Sequence, residues 1–80
     1  MYKFDLKPGV EVEVLAANPN RQLFSARVLT ADATVIFKAA GLHPIPGNEA
    51  LYQIETNPAW LGTVTATCAI AASIEVDELV

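Results

Sequence analysis

Apolar and polar residues alternate with period two along most of the chain, the pattern of strands that bury one face. Tyr2, Phe4 and Leu6 alternate with Lys3, Asp5 and Lys7, and Val10, Val12 and Val14 alternate with Glu11 and Glu13. Phe24, Ala26 and Val28 form a third inward row, and Val35 and Phe37 a fourth. The second half continues with Tyr52 and Ile54, then Val64, Ala66, Cys68 and Ile70, then Ile74 and Val76. No stretch carries a helical period. Every proline, glycine and asparagine lies in or beside a short break between these rows, where turn chemistry needs it.

Register follows from the requirement that inward residues face each other across a hairpin, because a slip of one residue turns every side chain over. A loop at residues 8–10 sets Leu6 against Val12. The break Asn18-Pro19-Asn20 sets Val14 against Phe24 and Glu11 against Arg27, and a turn at Ala31 and Asp32 sets Val28 against Val35. These loops predict a four-stranded meander. One misfit remains, Asp5 against Glu13, a like-charge pair that costs a little. The strands after residue 50 predict a three-stranded second sheet, and two half-buried sheets in a short chain must stack their apolar faces. The expected fold is therefore all-β, an antiparallel β-sandwich of about seven strands forming a single domain over residues 1–80, with a small closed β-barrel as the alternative. The stretch Leu42-His43-Pro44-Ile45-Pro46 is expected to be the stiffened crossover between the sheets, since each proline fixes its own backbone and restricts the residue before it. The alternative is a recognition loop that presents His43 and Ile45.

Composition narrows the function classes. Apolar residues make up 52% of the 80 and charged ones 18%, against about 25% charged in an average domain, so the chain is globular with apolar surface to spare. A net charge of -4 opposes the phosphate backbone that dominates nucleic-acid affinity, and no nucleic-acid partner is expected. Charges at Lys3, Asp5 and Lys7 break any apolar segment at the opening, so no signal peptide is expected, and no run approaches the roughly 20 apolar residues of a membrane helix. A single cysteine fits a reducing compartment, so the expected location is the cytoplasm or the interior of a virion-like assembly.

Chemistry is easier to exclude than to find. One histidine in a proline-rich stretch and one cysteine in phase with a buried row make neither a nucleophile–base pair nor a zinc site, and no catalytic residue, metal or cofactor is expected. Glu11 and Glu13 share a face, but the inferred register surrounds them with Lys7 and Arg27 as an ordinary solvated surface. Trp60, in the loop after Asn57-Pro58, is a candidate for stacking on a sugar or anchoring a partner, or else a lid on the core.

The most unusual feature is the strand over residues 63–71. Its outward positions Thr63, Thr65, Thr67, Ala69 and Ala71 carry no charge, and uncharged small side chains allow another surface to approach closely. The outward apolar residues Leu29 and Ile36 add to this set of interface candidates. The expected function is a non-enzymatic structural or protein-interaction module, a homo-oligomer or a component of a larger assembly. In architecture alone it is similar to compact all-β accessory proteins such as the decoration and connector proteins of tailed-phage virions, a likeness that implies attachment to protein and no more. A small carbohydrate- or ligand-binding module using Trp60 and neighbouring loop residues is the alternative.

Overall fold

The computed structural model describes residues 2–80. The seven alternating rows and the proline stretch become eight strands: β1 (Tyr2–Leu6), β2 (Val12–Leu15), β3 (Leu23–Val28), β4 (Thr34–Lys38), β5 (Leu42–Pro46), β6 (Tyr52–Ile54), β7 (Val64–Cys68) and β8 (Ala72–Leu79). They form two antiparallel sheets of four, sheet A in the order β1-β8-β3-β6 and sheet B in the order β2-β7-β4-β5. The sheets stack as a sandwich and do not close into a barrel.

The pairing has a simple logic. Tyr2↔Val76, Val12↔Ala66 and Ala26↔Tyr52 belong to one long antiparallel ribbon in which β1 pairs with β8, β2 with β7, β3 with β6 and β4 with β5. Rolling that ribbon up adds the pairs β3·β8 and β4·β7. The result is a jelly-roll topology.

The four-stranded meander expected from the loops does not form. Of the connections, only β4–β5 is a hairpin within one sheet, and every other one passes from sheet A to sheet B or back. The proline stretch is thus neither a crossover nor a recognition loop: Leu42–Pro46 is an edge strand, and the chain changes sheets after it, between Gly47 and Leu51. An edge strand tolerates prolines whose nitrogens face away from the ladder. Gly47 N–H donates to Ala33 O at 2.7 Å, so the alternate residues Pro44 and Pro46 turn their nitrogens to the open edge.

Arg27 lies opposite Glu75 instead of Glu11, with 3.4 Å between Nη1 and Oε1. The expected like-charge clash also disappears. Asp5 lies opposite Ser73, whose hydroxyl donates to Asp5 Oδ1 at 2.7 Å.

The inward rows do form the core. Phe24, Ala26, Val28, Ile74 and Val76 of sheet A meet Val35, Phe37, Val64, Ala66 and Cys68 of sheet B. Phe24 and Phe37 pack across the two sheets with ring centroids 6.2 Å apart and planes tilted by 49°, a favoured aromatic arrangement. Three residues expected inside are exposed: Tyr2 begins β1, Val10 lies in the connection between β1 and β2, and Ile70 lies in the crossover between β7 and β8.

Candidate functional site

The register of sheet B arranges its outward side chains in rows across the strands. Glu13, Thr65, Lys38 and Leu42 make the first row, Thr67, Ile36 and Pro44 the second, and Thr34 beside Pro46 begins the third. Charge is confined to the first row and to Glu11 near it. Beyond it the face is neutral, with Thr67, Ile36 and Pro44 at its middle and Ile36 38% exposed.

Sheet A is built differently. Its outward side carries Lys3, Glu75 and Arg27 in one row across three strands, flanked by Asp5 and Asp77. One face of the sandwich is therefore set for water, and the other lacks charge over most of its width.

Two shallow depressions lie at opposite ends of the sheet B face. One, of about 390 Å³, is lined by Glu11, Lys38, Trp60, Thr63 and Thr65 together with the β4–β5 turn. The other, of about 700 Å³, is lined by Pro8, Gly9, Thr34, Ile36, Thr67 and Ala69. Thr65 and Thr67 of β7 thus connect the two. Thr65 Oγ1 is buried without a hydrogen-bond partner among the described residues.

The structure brings together most of the interface candidates named from the sequence. Thr63, Thr65, Thr67, Ala69 and Ile36 lie on or beside this one face. Ile36 belongs there because β4 is the neighbour of β7, so that Ile36 is directly opposite Thr67. Two candidates fall elsewhere. Leu29 follows β3 and donates its N–H to Ser73 O in sheet A, and Ala71 is exposed in the β7–β8 crossover.

The loop candidates separate in the same way. Ile45 is buried at 3% exposure and is part of the core, so it presents nothing. His43 is half-buried, and its Nε2 lies 2.9 Å from Ala39 O. Trp60 is 36% exposed and donates from Nε1 to Thr63 O at 2.9 Å. Its ring covers Gly62, where a Cβ would come within 2.6 Å of Cζ2.

Sequence patterning missed the residue that holds this end of the molecule. Arg21 is the only buried charged side chain among the described residues, at 3% exposure. Its Nε donates to Glu78 Oε2 at 2.8 Å, Nη1 donates to the carbonyls of Trp60 and Gly62 at 3.1 and 2.7 Å, and Nη2 donates to Ala16 O at 2.6 Å. The planar guanidinium fork thereby ties the β2–β3 loop, the β6–β7 loop and the end of β8 together. Asn18 adds a hydrogen bond from Nδ2 to Glu78 Oε1 at 3.2 Å, and its N–H donates to Leu61 O at 2.8 Å. No period marks Arg21, because it stands in a break.

Cys68 is a buried free thiol with Sγ 3.5 Å from Lys7 O. Among the described residues no three His, Cys, Asp or Glu side chains cluster as metal ligands would, and no helix is long and apolar enough to cross a membrane. No family model, no curated protein and no solved structure matches the chain.

Proposed function

We propose that the chain is a non-enzymatic structural module that packs against other protein surfaces in an assembly, in the first instance copies of itself, through the outer face of sheet B. The observation that carries this reading is the contrast between the two outer faces: sheet A presents Lys3, Glu75 and Arg27 in one row, while Thr67, Ile36, Pro44 and Thr34 of sheet B are uncharged. Interface centres are depleted of charge in this way. Two copies stacked on a neutral face bring no like charges together, and side chains as short as threonine and proline let the sheets approach. A role like that of virion decoration or connector proteins is the form of assembly this reading favours.

Ile36→Lys tests it. In a stacked pair the change would bury an ammonium without a partner, which costs several kcal/mol. On a free surface it should shift stability by less than about 0.5 kcal/mol. We expect the solution mass of Ile36→Lys to fall below that of the wild type at equal concentration, with an unchanged circular dichroism spectrum. Equal masses across a dilution series, in a folded variant, would overturn the proposal.

A second reading, a carbohydrate site, draws support from the depression that joins the exposed Trp60 ring to Lys38, Glu11 and the unpartnered Thr65 hydroxyl. Its volume lies within the range of about 300 to 1,000 Å³ usual for small-ligand pockets. Trp60 emission should respond to a hexose titration if the site is used, and a flat response to a panel of hexoses removes this reading.

A further inference from the structure

The sandwich has four edge strands, and three of them are blocked. Pro44 and Pro46 remove two of the three donors that would face the open edge of β5. β2 has four residues and a register shift between Glu13 and Leu15, and β6 has only three residues. These are familiar devices against edge-to-edge pairing. β1 has none of them: all five residues from Tyr2 to Leu6 pair in regular register with β8, and the strand contains neither proline nor bulge.

Which of its backbone groups face outward follows from the ladder. Leu29 N–H donates to Ser73 O at 2.8 Å, and Ser73 N–H donates to Thr30 Oγ1 at 2.9 Å, so Ser73 aims its backbone at the β3 side. In an antiparallel sheet alternate residues aim to opposite sides. Ala72, Ile74 and Val76 therefore aim at β1, where they bond to Leu6, Phe4 and Tyr2. The N–H and C=O groups of Lys3 and Asp5 are left pointing to the open edge.

We infer that β1 pairs antiparallel with β1 of a second copy, joining two A sheets into one continuous eight-stranded sheet. The sequence of the edge selects the register. Because the free groups of residues 3 and 5 must face their counterparts, three alignments are possible. One sets Lys3 opposite the second copy's Lys3, and another sets Asp5 opposite Asp5; both place like charges directly across the seam. The third sets each Lys3 opposite the other copy's Asp5, so both pairs are of opposite sign and the seam gains its full set of backbone hydrogen bonds. Such a pairing is self-complementary about a two-fold axis, as a symmetric dimer requires. Phe4 then faces Phe4 on the axis and Tyr2 faces Leu6, which covers the side chain of Tyr2, now 56% exposed although it lies on the core side of its strand.

This edge is independent of the sheet B face, and both parts of the test are run in the Ile36→Lys background so that stacking through that face is absent. Lys3→Asp and Asp5→Lys each place like charges across both pairs of the seam, and each should weaken dimerisation by at least about tenfold. Mixing the two variants in equal amounts restores opposite charges at both pairs, so a dimer containing one of each should form. In the otherwise unaltered chain, the Lys3 and Asp5 amides should exchange at least about tenfold more slowly at millimolar than at micromolar concentration, while the Phe4 amide, already bonded to β8, should not change. Concentration-independent exchange at residues 3 and 5 would overturn the inference, and so would folded single variants whose mixture stays monomeric.

Discussion

Arg21→Ala should remove a large share of the stability of this domain. The substitution takes the charged donors from the carbonyls of Ala16, Trp60 and Gly62 and from the Glu78 carboxylate. Each acceptor left without a donor costs about 1 kcal/mol at the low end of its range, because water can enter a loop region, so the three carbonyls together give about 3 kcal/mol. The side chain of Glu78 is 21% exposed and regains part of its hydration, so it adds at most about 1 to 2 kcal/mol. The expected loss is therefore about 3 to 5 kcal/mol, against a total of about 4 to 12 kcal/mol for a chain of this size. Urea unfolding at 25 °C followed by circular dichroism measures it, with an unchanged slope confirming two-state behaviour. Even 3 kcal/mol corresponds to a fall in Tm on the order of 12 to 24 °C. Arg21→Lys retains the charge but lacks the planar fork that reaches several acceptors at once, so its loss should be intermediate. A loss below about 1 kcal/mol for Arg21→Ala, or a lysine variant as stable as the wild type, would refute the clasp as described.

Two more expectations rest on packing. Phe37→Ala removes a fully buried ring that bridges the sheets against Phe24, and denaturant titration should show a loss of about 3 to 5 kcal/mol; less than about 1 kcal/mol would mean that the centre of the core lies elsewhere. Gly62→Ala places a methyl group 2.6 Å from Trp60 Cζ2, so the indole must swing outward and give up its bond to Thr63 O at a cost of about 1 to 3 kcal/mol. Trp60 emission should shift to the red, and an unchanged spectrum would contradict the packing of the ring on Gly62.

Period-two alternation is a local signal, and it placed Phe24, Val35, Phe37, Ile74 and Val76 on the correct side of their strands. Strand partners are not local. Glu75 and Glu11 are both outward acids, so either could face Arg27 equally well, and only the three-dimensional roll favours Glu75. Asn-Pro-Asn at residues 18–20 serves an arch between sheets as readily as a hairpin, because turn residues encode a bend and not the sheet that the chain enters next. The expected clash of Asp5 with Glu13 was the one sequence-level sign that the hairpin pairing was mistaken. Thr65 and Thr67 were recognisable as an uncharged outward row, whereas the place of Ile36 beside them required the β4·β7 pair. Arg21 was invisible because its partners are backbone carbonyls, which every residue has.

The rolled ribbon also dictates an order of assembly. Its tip is the turn at Ala39–Gly41, where Ala40 and Gly41 have φ values of 52° and 131°, and β4 and β5 can meet there by closing only a few residues of chain. Each further pair, β3·β6, β2·β7 and then β1·β8, encloses a longer segment whose closure entropy must be met before its contacts form. Pairing so distant in sequence is slow, on the order of milliseconds to seconds for all-β domains. The ribbon should therefore zip from its middle toward its two ends, with β1 the last strand to find its place.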